Sequence, residues 1–266
     1  MNLFSTMSNC FRRILANLRD NARRCLLVYP RGFDMAKRIS RYFVPPSLVY
    51  RRLLEFARRH SANGGDFVFF IQVGSNDGLT NDPLREFVVA QSRWRGAFVE
   101  PLPHLFDALR RNYAYLRRPG LVFLRGAVSG NATTTSTTIF RIRPDRLSSY
   151  TTMADQLASW DPQHIIKHYA ARPRIAEDIE AVEVPCFSIQ QIMLEANIPE
   201  LHLLHVDIEG GEASLFRRFP FDAIRPLMII YESMHLSAED RAELESHLRR
   251  EGYWLESDSF DTVAAL

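Results

Sequence analysis

Cysteine is scarce in this 266-residue chain: Cys10, Cys25 and Cys186 stand far apart, with no C-x-x-C pair. An odd, scattered set of thiols supplies neither a disulfide framework nor a zinc-ligand spacing, which predicts a reducing compartment. Lysine is scarcer still. Lys37 and Lys167 are the two lysines among 33 basic residues, so the positive charge is arginine. That suits fixed-charge contacts to phosphate or carboxylate, and it follows equally from genomic base composition. No apolar run approaches the roughly 18 residues of a membrane span; the longest, around Phe67–Ile71 and Leu227–Ile230, have strand length. A basic n-region followed by an apolar stretch is missing too, because Arg12 and Arg13 interrupt early. No secretory signal is therefore predicted, and the expected location is the cytoplasm. With 46% hydrophobic and 24% charged residues, wholesale disorder, collagen-like repeats and coiled coil are excluded.

The small net charge of +2 conceals an asymmetry: residues 1–60 hold 13 basic and 3 acidic side chains, and residues 61–266 hold 20 and 28. Within the basic part, Phe11, Ile14, Leu15, Leu18, Ala22 and Cys25 recur at three- and four-residue steps with arginines between them, the pattern of an amphipathic helix. Such a helix lays its stripe on the protein's own core, touches an anionic membrane peripherally through residues 11–28, docks on a partner or serves as a targeting presequence. A membrane contact would place the protein at the inner membrane surface. Aromatics interleaved with the arginines are too few to predict nucleic-acid binding. Pro30 and Pro45-Pro46 break the segment before a helix expected from about Ser47 to His60, and residues 61–65 read as a linker. The predicted organisation is a basic helical extension over 1–60 and an α/β domain over 61–266.

After Gly65 the pattern alternates: strand Phe67–Val73, helix Asp82–Ser92, strand Gly96–Glu100, helix Pro103–Leu116, strand Leu121–Val128. A second set follows, with strand Leu201–Asp207, helix Gly211–Arg218, strand Pro226–Glu232, helix Ala238–Glu251 and strands Tyr253–Glu256 and Thr262–Leu266. The alternation predicts a doubly wound, Rossmann-like parallel sheet with helices on both faces. Residues 132–184 are less regular; Thr133–Thr138 opens toward an added strand or hairpin arm, and a short helix is expected over 162–170. An insertion between strands of such a sheet lies near the carboxyl ends or flanks, where it can shape a substrate lid.

Four strand ends carry the chemistry. Gly74-Ser75-Asn76-Asp77-Gly78 is a glycine-bracketed turn directly after the first strand, where backbone approaches a bound ligand. The dinucleotide fingerprint G-x-G-x-x-G fails there, since its third position is Asn76 and its sixth Leu79. Asp82-Pro83 reads as a helix cap. Glu100 closes the second strand, where a carboxylate matches the vicinal diol of a ribose. The richest segment is Leu203–Glu212, an apolar strand discharging Asp207, Glu209 and Glu212 with two glycines; Glu209 and Glu212 also suit helix capping. The next strand ends in Glu232 with His235 beyond it, facing the same crevice.

Val-Gly-Ser-Asn-Asp-Gly (73–78), Val-Glu-Pro (99–101), Gly-Ala-Val-Ser (126–129), Val-Asp-Ile-Glu-Gly-Gly-Glu (206–212), Tyr-Glu (231–232) and Asp-Thr-Val-Ala (261–264) together resemble the FkbM-type family of S-adenosylmethionine-dependent methyltransferases. The resemblance implies a class I methyltransferase sheet, mostly parallel with an antiparallel last strand. It implies that Gly74, Ser75, Asn76, Asp77 and Gly78 line the methionine and ribose of S-adenosyl-L-methionine and that Glu100 holds the ribose diol. Pro101, Leu102, Ala127 and Val128 would border the adenine, and Asp207 would lie beside the reactive methyl. The candidate bases are Asp207, Glu232 and His235, and no metal ligand is assigned. Gln72 stands where many class I enzymes carry an acid, and the chain leaves little length for an edge hairpin. The expected reaction moves a methyl group to a hydroxyl oxygen of a sugar, glycan or small metabolite. A dinucleotide-dependent oxidoreductase and a non-catalytic binding protein docking through its basic helix are the rival readings.

Overall fold

A computed structural model describes residues 47–61, 67–131, 133–150 and 154–266; the basic helix expected over 11–25, with its membrane reading, lies outside these residues. Along the chain the elements are α1 (Leu48–Ser61), β1 (Val68–Val73), α2 (Arg85–Ala90), β2 (Trp94–Val99), α3 (Pro103–Tyr113), β3 (Leu121–Leu124), β4 (Ala127–Val128), β5 (Ser136–Ile142) and β6 (Ala158–Ser159). They continue with α4 (Pro162–His168), β7 (Ile179–Phe187), α5 (Ile189–Glu195), β8 (Leu203–Val206), α6 (Glu212–Phe216), β9 (Met228–Glu232), α7 (Ala238–Arg250), β10 (Trp254–Ser257) and β11 (Asp261–Ala265).

Strands buried on both faces read as near-continuous apolar runs, as β1, β8 and β9 do with Gln72 and His205 as interior polar exceptions. They form the centre of a seven-stranded sheet in the order β10-β11-β9-β8-β1-β2-β3. From β3 to β9 every pairing is parallel, and β11 runs antiparallel between β9 and β10. The hairpin β10–β11 therefore forms despite the short C-terminus, and Leu266 adds one more bond by donating its N–H to Leu227 O.

Alternation along each strand divides the core in two. Ile71, Val73, Leu204, Val206, Ile229 and Tyr231 point to a layer shared with α5, α6 and α7, whereas Phe70, Phe98, Leu203 and Ile230 point to the other. In the second layer Val49, Leu53, Phe56 and Ala57 of α1, spaced i, i+4, i+7 and i+8, pack with Phe70 and Trp94. The helix counted with the 1–60 extension thus shares its core with the sheet. No helix among the described residues is long and apolar enough to cross a membrane.

The strand expected over 121–128 is two strands. At Gly126 a Cβ would meet the Phe187 ring and Pro185 O at 2.6 Å each, so only glycine lets the chain leave β3 and pair as β4 beside β7. There it joins a four-stranded sheet ordered β4-β7-β5-β6, with β5 and β7 antiparallel from Ser136↔Pro185 to Ile142↔Ile179. This sheet and α4 make up most of the insertion expected to be irregular. Helix α5 starts at a capping box in which Ser188 Oγ accepts the Gln191 N–H and Gln191 Oε1 accepts the Ser188 N–H.

Candidate active site

The carboxyl ends of β1, β2, β8 and β9 open into one cavity of about 350 Å³, as the edge-on geometry of an open parallel sheet requires. At Gly74, φ is +73° and a Cβ would lie 1.7 Å from Asp207 O, so the ends of β1 and β8 touch through a position open only to glycine. The N–H groups of Gly74 and Ser75 both donate to Val99 O at 3.0 Å, and the Val99 N–H donates to Ser75 Oγ at 3.2 Å. Asn76, in the left-handed region at φ 51°, donates its N–H to Glu100 Oε2 at 2.9 Å. Glu100 Oε1 accepts the Leu102 N–H at 2.9 Å. Burial pushes the Glu100 carboxyl up to about 7, against the opposing pull of those two N–H groups.

Gly74, Ser75, Asn76, Glu100, Pro101, Ala127, Val128 and Asp207 all line the cavity. Asp77, Gly78 and Leu102 sit behind that wall. Asp77 Oδ1 accepts the N–H groups of Leu79 and Thr80 and its Oδ2 accepts Thr80 Oγ1, which closes a local turn. Gly78 packs against Leu109 and Tyr113, and Leu102 is buried with Leu105 and Ala127. Asp82 caps α2 from three residues upstream, accepting the N–H groups of Leu84 and Arg85, so the helix begins later than its sequence suggests. The same carboxylate accepts Gln72 Nε2 at 3.1 Å. Gln72 Oε1 is left buried without a hydrogen-bond partner, and Gln72 lines the cavity.

At the β8 and β9 ends of the same cavity, Asp207, Glu209, Glu232 and His235 come together. Glu209 holds a left-handed backbone at φ 54°, followed by Gly210 at φ 97°. That loop is stapled by Glu212, whose Oε1 and Oε2 accept the N–H groups of Ile208 at 2.8 Å and Gly210 at 3.0 Å. Burial raises the Glu212 carboxyl to about 7. His235 Nε2 stands 3.5 Å from Glu209 Oε2 and 3.6 Å from Glu232 Oε1. Burial, followed by the neighbouring carboxylates, holds the Asp207 and Glu232 carboxyls well above the usual range. His235 is lowered, chiefly by burial, and so favours the neutral imidazole. His205, also on the cavity wall, is lowered to about 4 by burial.

The insertion contributes Leu157, Ala158, Trp160 and His168 to the lining, so it borders the cavity near the carboxyl ends of the strands. It also brings His164 of α4 to 3.0 Å from Glu209 Oε2, while Ser159 Oγ donates to Glu209 O at 3.0 Å. His164 and His205 were missing from the sequence reading. Of the two, His205 had a visible signal as a polar interruption in an apolar strand.

Solved structures to which the chain is similar include precorrin-6y C5,15-methyltransferase from Geobacter metallireducens GS-15, with 9% identity, a TM-score of 0.42, and coverage of 84% of this chain and 91% of that one. Another is human methyltransferase 10 domain containing protein, at 9% identity and TM-score 0.43, covering 89% and 97%. Among curated proteins none matches. The model of the FkbM methyltransferase domain matches residues 72–255, from the end of β1 into β10. With its class I sheet and most of its length inside that match, the chain belongs to the FkbM methyltransferase family.

Proposed function

We propose that this methyltransferase takes S-adenosyl-L-methionine as donor and a hydroxyl of a sugar, glycan or small metabolite as acceptor. The observation that carries the reading is the meeting, in one cavity, of Glu100 at the β2 end with Asp207, Glu232 and His235 at the β8 and β9 ends. The residues present fit the donor. Each Glu100 oxygen spends one lone pair on a backbone N–H and keeps another, which matches the two hydroxyls of a ribose. The orphaned Gln72 Oε1 supplies an acceptor for the ammonium of the methionine part. Pro101, Ala127 and Val128 offer an apolar edge for the adenine.

Bound there, the donor supplies a sulfonium methyl already activated for in-line displacement. The chain's own part is alignment, exclusion of water and removal of the acceptor proton. A hydroxyl acceptor needs that last function; the neutral imidazole of His235 is the group ready to take the proton, and Asp207 or Glu232 would do so only in its ionised form, which burial disfavours. The test is calorimetry with S-adenosylmethionine and with NAD(P)⁺ in parallel, followed by transfer of a labelled methyl group to a panel of hydroxyl-bearing sugars and metabolites. Binding of the dinucleotide alone would overturn the donor, and labelling confined to amine or carbon acceptors would overturn the hydroxyl.

A further inference from the structure

One ligand atom from each of Glu209, His164 and His235 lies within 4.8 Å of the others, and Glu209 Oε2 stands 3.0 Å from His164 Nε2 and 3.5 Å from His235 Nε2. At 3.0 Å a hydrogen bond between Glu209 and His164 would be expected. Yet both atoms are buried and neither makes one, because the nitrogen and the oxygen are not aligned as donor and acceptor. Both atoms therefore keep a lone pair free for a third atom between them. Ligands held about 2.1 Å from one ion at angles of 90–109° are about 3.0–3.4 Å apart, close to the 3.0 and 3.5 Å that separate Glu209 from the two histidines.

A second set shares the same carboxylate: Asp207, Glu209 and Glu232 also lie within 4.8 Å of one another, and Glu232 Oε2 is buried without a hydrogen bond. Among the described residues no arginine or lysine pairs with these three carboxylates, so two imidazoles are the groups left to face them. The ligands come from rigid places. Glu209 is fixed by the Glu212 staple, and Ser159 ties its carbonyl to the insertion that carries His164.

We propose that Glu209, His164 and His235, backed by Asp207 and Glu232, bind a divalent first-row transition-metal ion at the acceptor side of the cavity. Two imidazole nitrogens with carboxylate oxygens favour zinc, manganese, iron or cobalt over magnesium or calcium. An ion there would lower the pKa of a coordinated acceptor hydroxyl. His235 Nε2 would then be a ligand, and the hydroxyl proton would pass to Asp207 or Glu232, whichever the ion's charge holds ionised. The site stands on ligand geometry and does not depend on the donor or acceptor proposed above.

The experiment uses the full chain, stripped with a chelator and dialysed. It is titrated with Co²⁺ by visible absorption and with Zn²⁺ and Mn²⁺ by calorimetry. The expected result is one equivalent of Co²⁺ with ligand-field bands, no displacement by millimolar Mg²⁺, and an affinity at least about tenfold lower in His164→Asn and in Glu209→Gln. Melting curves with and without Zn²⁺ serve as a second readout: the ion should raise the Tm of the parent and leave both variants unmoved, while their metal-free curves confirm folding. No stoichiometric binding, displacement by Mg²⁺, or equal Co²⁺ affinity in parent and folded variants would overturn the proposal and leave a histidine–carboxylate relay. Calorimetry with S-adenosylmethionine on the same stripped protein reports on the donor site separately, so failure of one reading is not mistaken for failure of the other.

Discussion

The Glu100 carboxylate accepts the Asn76 N–H at 2.9 Å, which ties the turn after β1 to the end of β2 and leaves the same oxygen a lone pair toward the cavity wall. Replacing Glu100 with Ala should weaken binding of S-adenosylmethionine by about 1–3 kcal/mol, the scale of hydrogen bonds to a charged group. Because a diol binds the ionised carboxylate and burial holds this carboxyl at about 7, cofactor affinity should rise as pH increases through 7 and level off above it. Calorimetry between pH 6 and 8.5 that gives a flat profile for the parent would remove Glu100 from the donor site.

The same shift has a consequence for the cofactor-free fold. A carboxyl whose folded pKa is raised from 4.5 to about 7 keeps its proton longer in the native state than in the unfolded chain. Its contribution is therefore lost as pH rises between those values, by about 3 kcal/mol in all. Urea denaturation at pH 5 and pH 8 should show the parent losing stability that Glu100→Ala does not lose.

His235→Ala should lower turnover about 10²–10⁴-fold while leaving cofactor affinity nearly unchanged, since its ring faces Glu209 and Glu232 and not the Glu100 wall. Asp207→Ala should harm both, because Asp207 closes the β8 end that touches Gly74. Full turnover in the His235 variant would move proton removal to the carboxylates.

Gly74→Ala would force a methyl group into the Asp207 carbonyl at 1.7 Å and a left-handed backbone on an L-residue. The expected loss is more than about 2 kcal/mol of stability, together with cofactor binding. Gly210 is the control: φ there is +97°, but a Cβ would meet nothing within 4 Å, so Gly210→Ala should cost only the backbone strain of about 1–2 kcal/mol. Equal losses at the two positions would show that the β1–β8 contact is not what Gly74 protects.

The main sheet was legible because its central strands are near-continuous apolar runs, and Glu100, Asp207, Glu232 and His235 because they end those runs or follow them closely. What stayed hidden depended on partners distant in sequence. Only contact with Phe187 explains why the chain breaks at Gly126, and β7 is disguised by Glu180 and Glu183, polar residues that meet Arg141 and Ser136 across the strand pair. Asp77 looks like a ligand residue in the glycine turn, but its carboxylate is consumed by Leu79 and Thr80. His164 carries no signal at all until the insertion folds back onto Glu209.

The arginine-rich segment 11–28 is proposed to bind anionic membrane surfaces. Deleting residues 1–28 should abolish salt-sensitive sedimentation with phosphatidylserine vesicles and leave S-adenosylmethionine binding intact, since α1 begins at Leu48. Equal sedimentation of both proteins would end that reading.

Glu209 sits at φ 54°, where glycine or asparagine would rest more comfortably and where an ordinary side chain costs about 1–2 kcal/mol. Glu209→Gly should therefore raise the melting temperature while removing the one carboxylate that both histidines face. Stability and activity pull this position in opposite directions. Selection for thermal robustness alone would favour glycine at residue 209, as at Arg117 (φ 48°) and Arg174 (φ 62°), but of the three only residue 209 would make that gain at the expense of the site.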